Sequence, residues 1–120
     1  MENWTYKDRH ISFDGLNFGH DRPSDIDGIM VLPDAVVIIE SKCGDIPLKP
    51  KQKMVFETLV RNAEKAGQKG IALIARYYDR NPKNEVILAD CRVSEYFTSG
   101  KWFKVLSEVN LRNAMEQFLA

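Results

Sequence analysis

Two short stretches of the chain combine acidic side chains with a lysine at spacings that suit metal-assisted chemistry. The first is Asp25-Ile-Asp27 and the second is Glu40-Ser-Lys42. Side chains alternate between the two faces of an extended strand. Asp25 and Asp27 would therefore share one face, and so would Glu40 and Lys42.

The link between the two stretches predicts how they meet. A hairpin closed at Pro33-Asp34 as a two-residue turn places Asp27 opposite Glu40. The same register places Asp25 opposite Lys42. Directly opposed residues have Cβ atoms about 4.5–5.5 Å apart. A register shifted by an even number of residues in the pairing keeps the acids on one face, whereas an odd shift separates them.

Carboxylates crowded in this way favour a divalent cation. Two of them repel each other, and without a partner one tends to take up a proton. Mg²⁺ prefers one or two carboxylates together with waters and phosphate oxygens. Such an ion polarises a phosphodiester and lowers the pKa of the attacking water. Asp27 and Glu40 are thus candidate metal ligands, and Lys42 can stabilise the charge that grows on phosphorus.

The simpler interpretation of these residues is an ordinary ion pair, because Glu-x-Lys is common on protein surfaces. Here, however, Glu40 and Lys42 end a strand whose first residues, Ala35–Ile39, are all apolar. Charge at the end of such a strand is unusual unless it is paired or functional. The pattern therefore favours the functional interpretation.

Short apolar runs bounded by turn residues predict the strands that would carry these groups. They cover Asp25–Leu32, Ala35–Lys42, Gly70–Tyr77 and Glu85–Cys91, followed by strand and turn over Arg92–Val105 with the turn at Ser99-Gly100. The opening segment, Met1–His20, predicts irregular chain or a short strand.

Two helices complete the predicted mixed α/β domain. The first begins at Pro50, which suits a first helical turn, and ends near Gly67. Its predicted buried stripe consists of Phe56, Leu59, Ala63 and Ala66. The second is capped by Ser107, with Leu106 and Leu111 placed for a hydrophobic staple. Its apolar face, either core or dimer contact, consists of Leu111, Ala114, Met115, Phe118 and Leu119.

Length and composition suit one domain of a water-soluble protein. The chain has 120 residues, of which 44% are hydrophobic and 28% are charged. No run approaches the roughly 20 apolar residues that span a bilayer, and Met1–His10 lacks the apolar core of a signal peptide. We therefore expect a cytoplasmic location, with Cys43 and Cys91 as free thiols.

Charge alone does not indicate a nucleic-acid binder, because the formal net charge is zero. The charge is nevertheless uneven. Between Lys42 and Arg61 there are five basic residues and two acids, Asp45 and Glu57. This segment is either a solvated helix face or a patch that faces phosphate beside the acidic centre.

The acidic centre resembles the signature of the PD-(D/E)XK nuclease superfamily, an acid near one strand and an acid-x-lysine on the next. Asp27 matches the first acid, and Glu40 and Lys42 match the second half. Asp25 is the rival for the first position, because it follows Pro23-Ser24. The resemblance covers Pro23 to about Tyr77. It implies a restriction-endonuclease-like fold, in which helices flank a mixed central sheet, and Mg²⁺ or Mn²⁺ as cofactor.

The segment Gln52–Phe56 adds a further match. Some members of the superfamily carry a glutamine followed four residues later by an aromatic, on the helix after the acid-x-lysine strand. The resemblance thus adds Gln52 to the candidate catalytic residues, with a surface glutamine as the alternative, and it makes Asp25 and Ser41 further candidate metal ligands. Many members begin with a helix that supplies another acid, and no clear helix precedes residue 20. The candidates for such an acid are Glu2, Asp8 and Asp14.

Because one compact site cuts one strand and a two-fold pair can cut two, the small size of the chain suggests a homodimer. The resemblance implies a Mg²⁺-dependent DNA endonuclease, such as a small phage-type nuclease or a Holliday junction resolvase. It leaves open whether the substrate is duplex, single-stranded or branched DNA, or RNA. One alternative is an inactive nuclease-fold domain that binds nucleic acid or another protein. Another is a structural α/β domain whose acids form ion pairs. Metal titration separates them, because only the nuclease is expected to bind Mg²⁺ or Mn²⁺ at Asp27 and Glu40.

Overall fold

The described part of the chain has a mixed α/β structure. The computed structural model describes residues 12, 14–16, 19 and 25–120. Its elements in chain order are β1 (Gly28–Leu32), β2 (Ala35–Cys43), α1 (Pro50–Lys65), β3 (Lys69–Tyr77), a 3₁₀ turn (Leu88–Asp90), β4 (Arg92–Thr98), β5 (Lys101–Lys104) and α2 (Leu111–Leu119). The predicted α/β class is confirmed. The prediction for Met1–His20 lies outside the described residues except at 12, 14–16 and 19, which are turn or irregular chain.

The strands form one mixed sheet in the order β1-β2-β3-β4-β5. β1 is antiparallel to β2, β2 is parallel to β3, and the remaining pairs are antiparallel. A parallel pair needs a long crossover connection, which α1 provides between β2 and β3. β2 therefore has a hairpin partner on one side and a crossover partner on the other.

The hairpin of β1 and β2 has the predicted register. Leu32 pairs with Ala35 across Pro33-Asp34, and Gly28 pairs with Ile39. β1 nevertheless begins at Gly28, three residues later than predicted. The Ser41 backbone N–H donates to the Asp27 carboxylate at 2.7 Å. The Asp27 side chain thus accepts a hydrogen bond from the backbone of β2 just beyond Gly28 and Ile39, the last paired residues. This side-chain bond takes the place of backbone pairing, so the ladder ends there.

One helix covers each face of the sheet. On the α1 face, a buried cluster includes Ile38, Phe56, Val60, Ala72, Ile74 and Phe97. On the α2 face, the buried cluster includes Val37, Ile71, Leu73, Ala75, Val93 and Leu111. Alternation along the strands sends adjacent residues to opposite clusters. The sheet is consequently largely apolar on both faces.

The predicted face of α2 is confirmed as part of this core, because its apolar residues pack on the cluster that contains Leu111. The buried stripe of α1 differs from the prediction at two residues. Val60 is buried there, whereas Ala66 is exposed beyond the helix end at Lys65. Cys43 and Cys91 are free thiols, as predicted. None of the helices that the structure describes has the length and apolarity needed to cross a bilayer.

The predicted strand at Glu85–Cys91 is wrong. Val86 and Ile87 are exposed in a loop, and the 3₁₀ turn follows. The free edge of β3 pairs instead with β4, which begins at Arg92. Whether a short apolar run forms a strand depends on the neighbours with which it packs, and the edge of β3 is occupied by β4 rather than by this run.

The predicted start of α2 at Ser107 is also wrong. Asn110 is the N-cap, and its side-chain oxygen accepts from the Asn113 backbone N–H at 2.8 Å. Leu106 is 91% exposed, so it forms no staple. The Val109 carbonyl accepts from β4, and the Leu111 N–H donates to the Cys91 carbonyl. These bonds hold the chain extended until Asn110, so the helix begins only there.

Candidate metal and catalytic site

Four of the predicted side chains lie at the end of the β1–β2 hairpin that is opposite its turn. Asp27 immediately precedes β1, Glu40 and Lys42 belong to β2, and Gln52 lies in the first turn of α1. Glu40 and Lys42 point to the α1 face by strand alternation. The hairpin register thus brings Asp27 to Glu40, and the helix that follows the hairpin brings Gln52 to Glu40.

Ser41 orients the Asp27 carboxylate. The same Asp27 oxygen, Oδ2, accepts from the Ser41 backbone N–H at 2.7 Å and from the Ser41 hydroxyl at 2.6 Å. Desolvation by burial favours the neutral form of Asp27, but the two hydrogen bonds from Ser41, the hydrogen bond from Glu40 and the charge of Lys42 together outweigh it and hold its pKa below the ordinary value. Asp27 is therefore ionised at neutral pH. The Ser41 hydroxyl, predicted as part of a ligand set, acts in this structure as a donor to Asp27.

Gln52 orients the Glu40 carboxylate. Its Nε2 donates to Glu40 Oε2 at 2.8 Å, and its Oε1 accepts from the Lys49 backbone N–H at 3.2 Å. The amide therefore connects the start of α1 to the acid on β2. Gln52 is therefore hydrogen-bonded to a candidate acid of the site and is not a free surface glutamine.

Glu40 is 5% exposed. Burial, a hydrogen bond with Asp27 and the negative charges of Asp27 and Asp25 raise its pKa to about 7, against the opposing charge of Lys42. Between pH 4.5 and about 7, Glu40 in the folded protein therefore holds a proton, hydrogen-bonded to Asp27, that an exposed glutamate would release. This pair is the most electrostatically perturbed group that the structure describes.

The donors at this position fit a hard divalent cation. Such ions bind carboxylate oxygens, and Mg²⁺ needs only one or two of them, with water completing its shell. A cation would also replace the proton that the pair otherwise holds. Across residues 25–120 and the few described residues before them, no group of three His, Cys, Asp or Glu could hold an ion. Asp25 thus influences the pair through its charge, without completing a three-carboxylate set.

The remaining candidate acids lie away from this pair or outside the described chain. Asp14 is exposed in a turn, where its backbone N–H donates to Ser12. Glu2, Asp8 and the Pro23-Ser24 part of the motif lie outside the described residues. The acids that the structure brings into contact are therefore Asp27 and Glu40.

The predicted basic segment is only partly available to a phosphate. Arg61 pairs with Glu57 at 3.7 Å, and its guanidinium lies over the ring of Phe97. Lys53 lies 5.6 Å from the ring centroid of Trp102. These contacts favour a solvated helix face for the outer part of the segment. Lys42 lies on β2 beside Glu40 and is the basic group nearest to the acids in sequence.

Sequence reasoning missed Arg76, a buried arginine on β3 that is in register with Lys42. An arginine within the apolar run Gly70–Tyr77 was the available signal, because a charge so placed needs partners.

No family model matches the chain, and no curated protein or solved structure matches it at a significant level. The function is therefore inferred from the residues of the site itself.

Proposed function

We propose that this protein is a metal-dependent nuclease of the PD-(D/E)XK type, which hydrolyses phosphodiester bonds in DNA. The observation that carries the proposal is the contact between Asp27 and Glu40 at the end of the hairpin, with Lys42 on the face of Glu40. The mixed sheet with a helix on each face supports a restriction-endonuclease-like fold. It is the architecture that the resemblance to this superfamily implies.

In this proposal Asp27 and Glu40 hold Mg²⁺ or Mn²⁺. When bound, such an ion supplies a Lewis acid and a water of lowered pKa. The chain's own residues prepare the ligands. Ser41 holds Asp27 in its ionised form, and Gln52 holds Glu40 through one oxygen. Fixed ligands of this kind reduce the reorganisation that metal binding would otherwise require.

In this proposal Lys42 stabilises the negative charge that develops during cleavage. It lies two residues beyond Glu40, so both side chains point to the same face of β2. An ammonium group at this position can hold the attacking water or stabilise the extra negative charge on phosphorus. It cannot be a metal ligand, because a protonated amine has no lone pair to offer.

Cleavage assays with a matched set of variants test the proposal. The wild-type protein is incubated with labelled duplex, single-stranded and four-way-junction DNA and with RNA, in Mg²⁺ or in a chelator. We expect Mg²⁺-dependent cleavage of at least one DNA. Asp27→Asn should abolish it and remain folded, because an asparagine oxygen can still accept both hydrogen bonds from Ser41. Asp34→Asn, the same charge change at the turn end of the hairpin, should cut at the wild-type rate.

Lys42→Ala separates catalysis from metal binding. Loss of a group that stabilises the transition state typically costs about 10²–10³-fold in rate, whereas Mn²⁺ affinity measured by calorimetry should remain close to wild type. Cleavage by folded Asp27→Asn at the wild-type rate would refute the assignment. Absence of both cleavage and Mn²⁺ binding in the wild-type protein would favour the inactive or structural alternative.

A further inference from the structure

Arg76 is buried within the sheet beside the candidate site. It is 9% exposed and lies on β3, in register with Lys42 of β2. A buried guanidinium is tolerated only when its N–H groups have partners. It donates from Nε to Ser94 Oγ at 2.9 Å, from Nη1 to the carbonyls of Gly44 and Ile46 at 3.1 and 2.6 Å, and from Nη2 to Glu95 Oε1 at 3.2 Å.

These partners belong to two separate parts of the chain. Gly44 and Ile46 lie in residues 44–49, the loop that leads from β2 to α1. Ser94 and Glu95 lie in β4. The guanidinium therefore fastens the loop to the sheet. The bond from the Gly44 N–H to the Tyr77 carbonyl, at 2.7 Å, holds the same end of the loop from the neighbouring residue of β3.

An irregularity in β4 allows two adjacent residues to reach one guanidinium. Ile74 pairs with Glu95 and Ala75 pairs with Val93, so Ser94 has no paired residue on β3. Adjacent residues of a regular strand point to opposite faces, whereas a bulge re-aims a side chain. Ser94 and Glu95 consequently both contact Arg76.

The loop that Arg76 fastens lies between the proposed catalytic groups. It joins the strand end that carries Lys42 to the helix turn that carries Gln52. The last loop residue, Lys49, donates its backbone N–H to Gln52, and Gln52 donates to Glu40. Movement of the loop would therefore move both Gln52 and the strand end relative to Glu40.

From this chain of contacts, and resting on the proposed function, we propose that Arg76 is a positioning residue of the nuclease site. It holds the 44–49 loop so that Gln52 meets Glu40 and Lys42 stays beside the acids. A well-packed apolar residue often replaces a buried ion pair without loss of stability. The fork-shaped set of donors, directed at two loop carbonyls, is what an apolar residue could not reproduce.

The variant that tests this is Arg76→Lys, which keeps the positive charge but has a single nitrogen in place of the fork. We expect hydrogen exchange of the 44–49 amides to accelerate by at least about tenfold, and the side-chain amide signals of Gln52 to move in NMR spectra. Because misplacement of a catalytic group by 1 Å can cost about 10²-fold, we expect kcat to fall by roughly that factor with KM little changed.

Leu111→Ala is the control for general destabilisation, because Leu111 is 2% exposed on the opposite face of the sheet. Compared at equal distance below its Tm, this variant should keep the wild-type kcat and the wild-type Gln52 signals. Ser94→Ala removes one partner of Arg76 and should show the same changes as Arg76→Lys at smaller size. If Arg76→Lys does not fold, Ser94→Ala tests the positioning role in its place.

The outcomes separate this inference from the proposed function. Unchanged exchange and unchanged Gln52 signals in Arg76→Lys would overturn the positioning role, whatever the cleavage assay shows. A loosened loop with wild-type kcat would also overturn it and leave Arg76 a structural residue. If the wild-type protein cuts no substrate, the proposed nuclease function is overturned, and with it the role of Arg76 in catalysis. The exchange data would still report whether Arg76 holds the loop and Gln52 in place.

Discussion

Replacing Glu40 by glutamine should stabilise the metal-free protein, but only at pH values at which the unfolded chain would have lost the proton of Glu40. Glutamine has the shape of the protonated acid. Its oxygen can accept from Gln52 Nε2, as Glu40 Oε2 does at 2.8 Å, and its amide can donate to the Asp27 carboxylate. Glu40→Gln therefore keeps the contacts of the protonated state and removes the charge that burial and Asp27 oppose.

The size of the effect follows from the pKa of Glu40, which rises from 4.5 to about 7 on folding. Between these values the folded protein binds a proton that the unfolded chain releases. The stability associated with that proton is fully present below pH 4.5 and is lost as the pH rises to about 7. A displacement of this size corresponds to at most about 3 kcal/mol, and solvent at the sheet end reduces the expected difference to about 1–2 kcal/mol.

Urea denaturation at pH 4 and at pH 8, in a chelator, measures this difference. Wild type and Glu40→Gln should have similar free energies of unfolding at pH 4, and the variant should be the more stable at pH 8. Glu108→Gln, at an exposed position, is the control and should follow wild type at both values. Equal differences at the two pH values would show that Glu40 does not share a proton with Asp27. In a separate measurement at pH 8, added Mg²⁺ should stabilise wild type more than Glu40→Gln, because the variant lacks one of the proposed ligands.

Two further predictions concern the elements that frame the site. Asn110→Ala removes the side-chain oxygen that caps α2 and should cost about 1 kcal/mol in urea denaturation, whereas Ser107→Ala, outside the helix, should cost nothing measurable. Gly44→Ala places a Cβ at a φ of 62°, 3.3 Å from Arg80 Nη2. It should cost about 1–2 kcal/mol, measured by thermal unfolding, and an unchanged Tm would show that the loop adapts without strain.

The hairpin and its contacts could be predicted because their determinants are local. The two-residue turn at Pro33-Asp34 sets the register, and alternation then sets which side chains face each other. The same alternation predicted that Glu40 and Lys42 share a face. The resemblance made Gln52 a candidate residue of the site, and helical spacing puts it on the same side of α1 as Phe56, four residues later. Its partner, Glu40, was identified only by the structure.

The features that could not be predicted depend on partners distant in the sequence. Whether Val86 and Ile87 form a strand is decided by which segment pairs with the open edge of β3. Where α2 begins is decided by hydrogen bonds to β4. The contacts of Arg76 could not be predicted, because a single arginine in an apolar run does not reveal which carbonyls it will reach.

The whole acid-and-lysine centre is encoded between Asp25 and Gln52, a single continuous stretch of hairpin and helix. The connection from β3 to β4 lies elsewhere, and residues 78–87 of it are all exposed. Lengthening such a connection adds only a slowly growing loop-closure entropy. Extra segments, including ones that select a substrate, can therefore be inserted there without rebuilding the part of the chain that carries the proposed site.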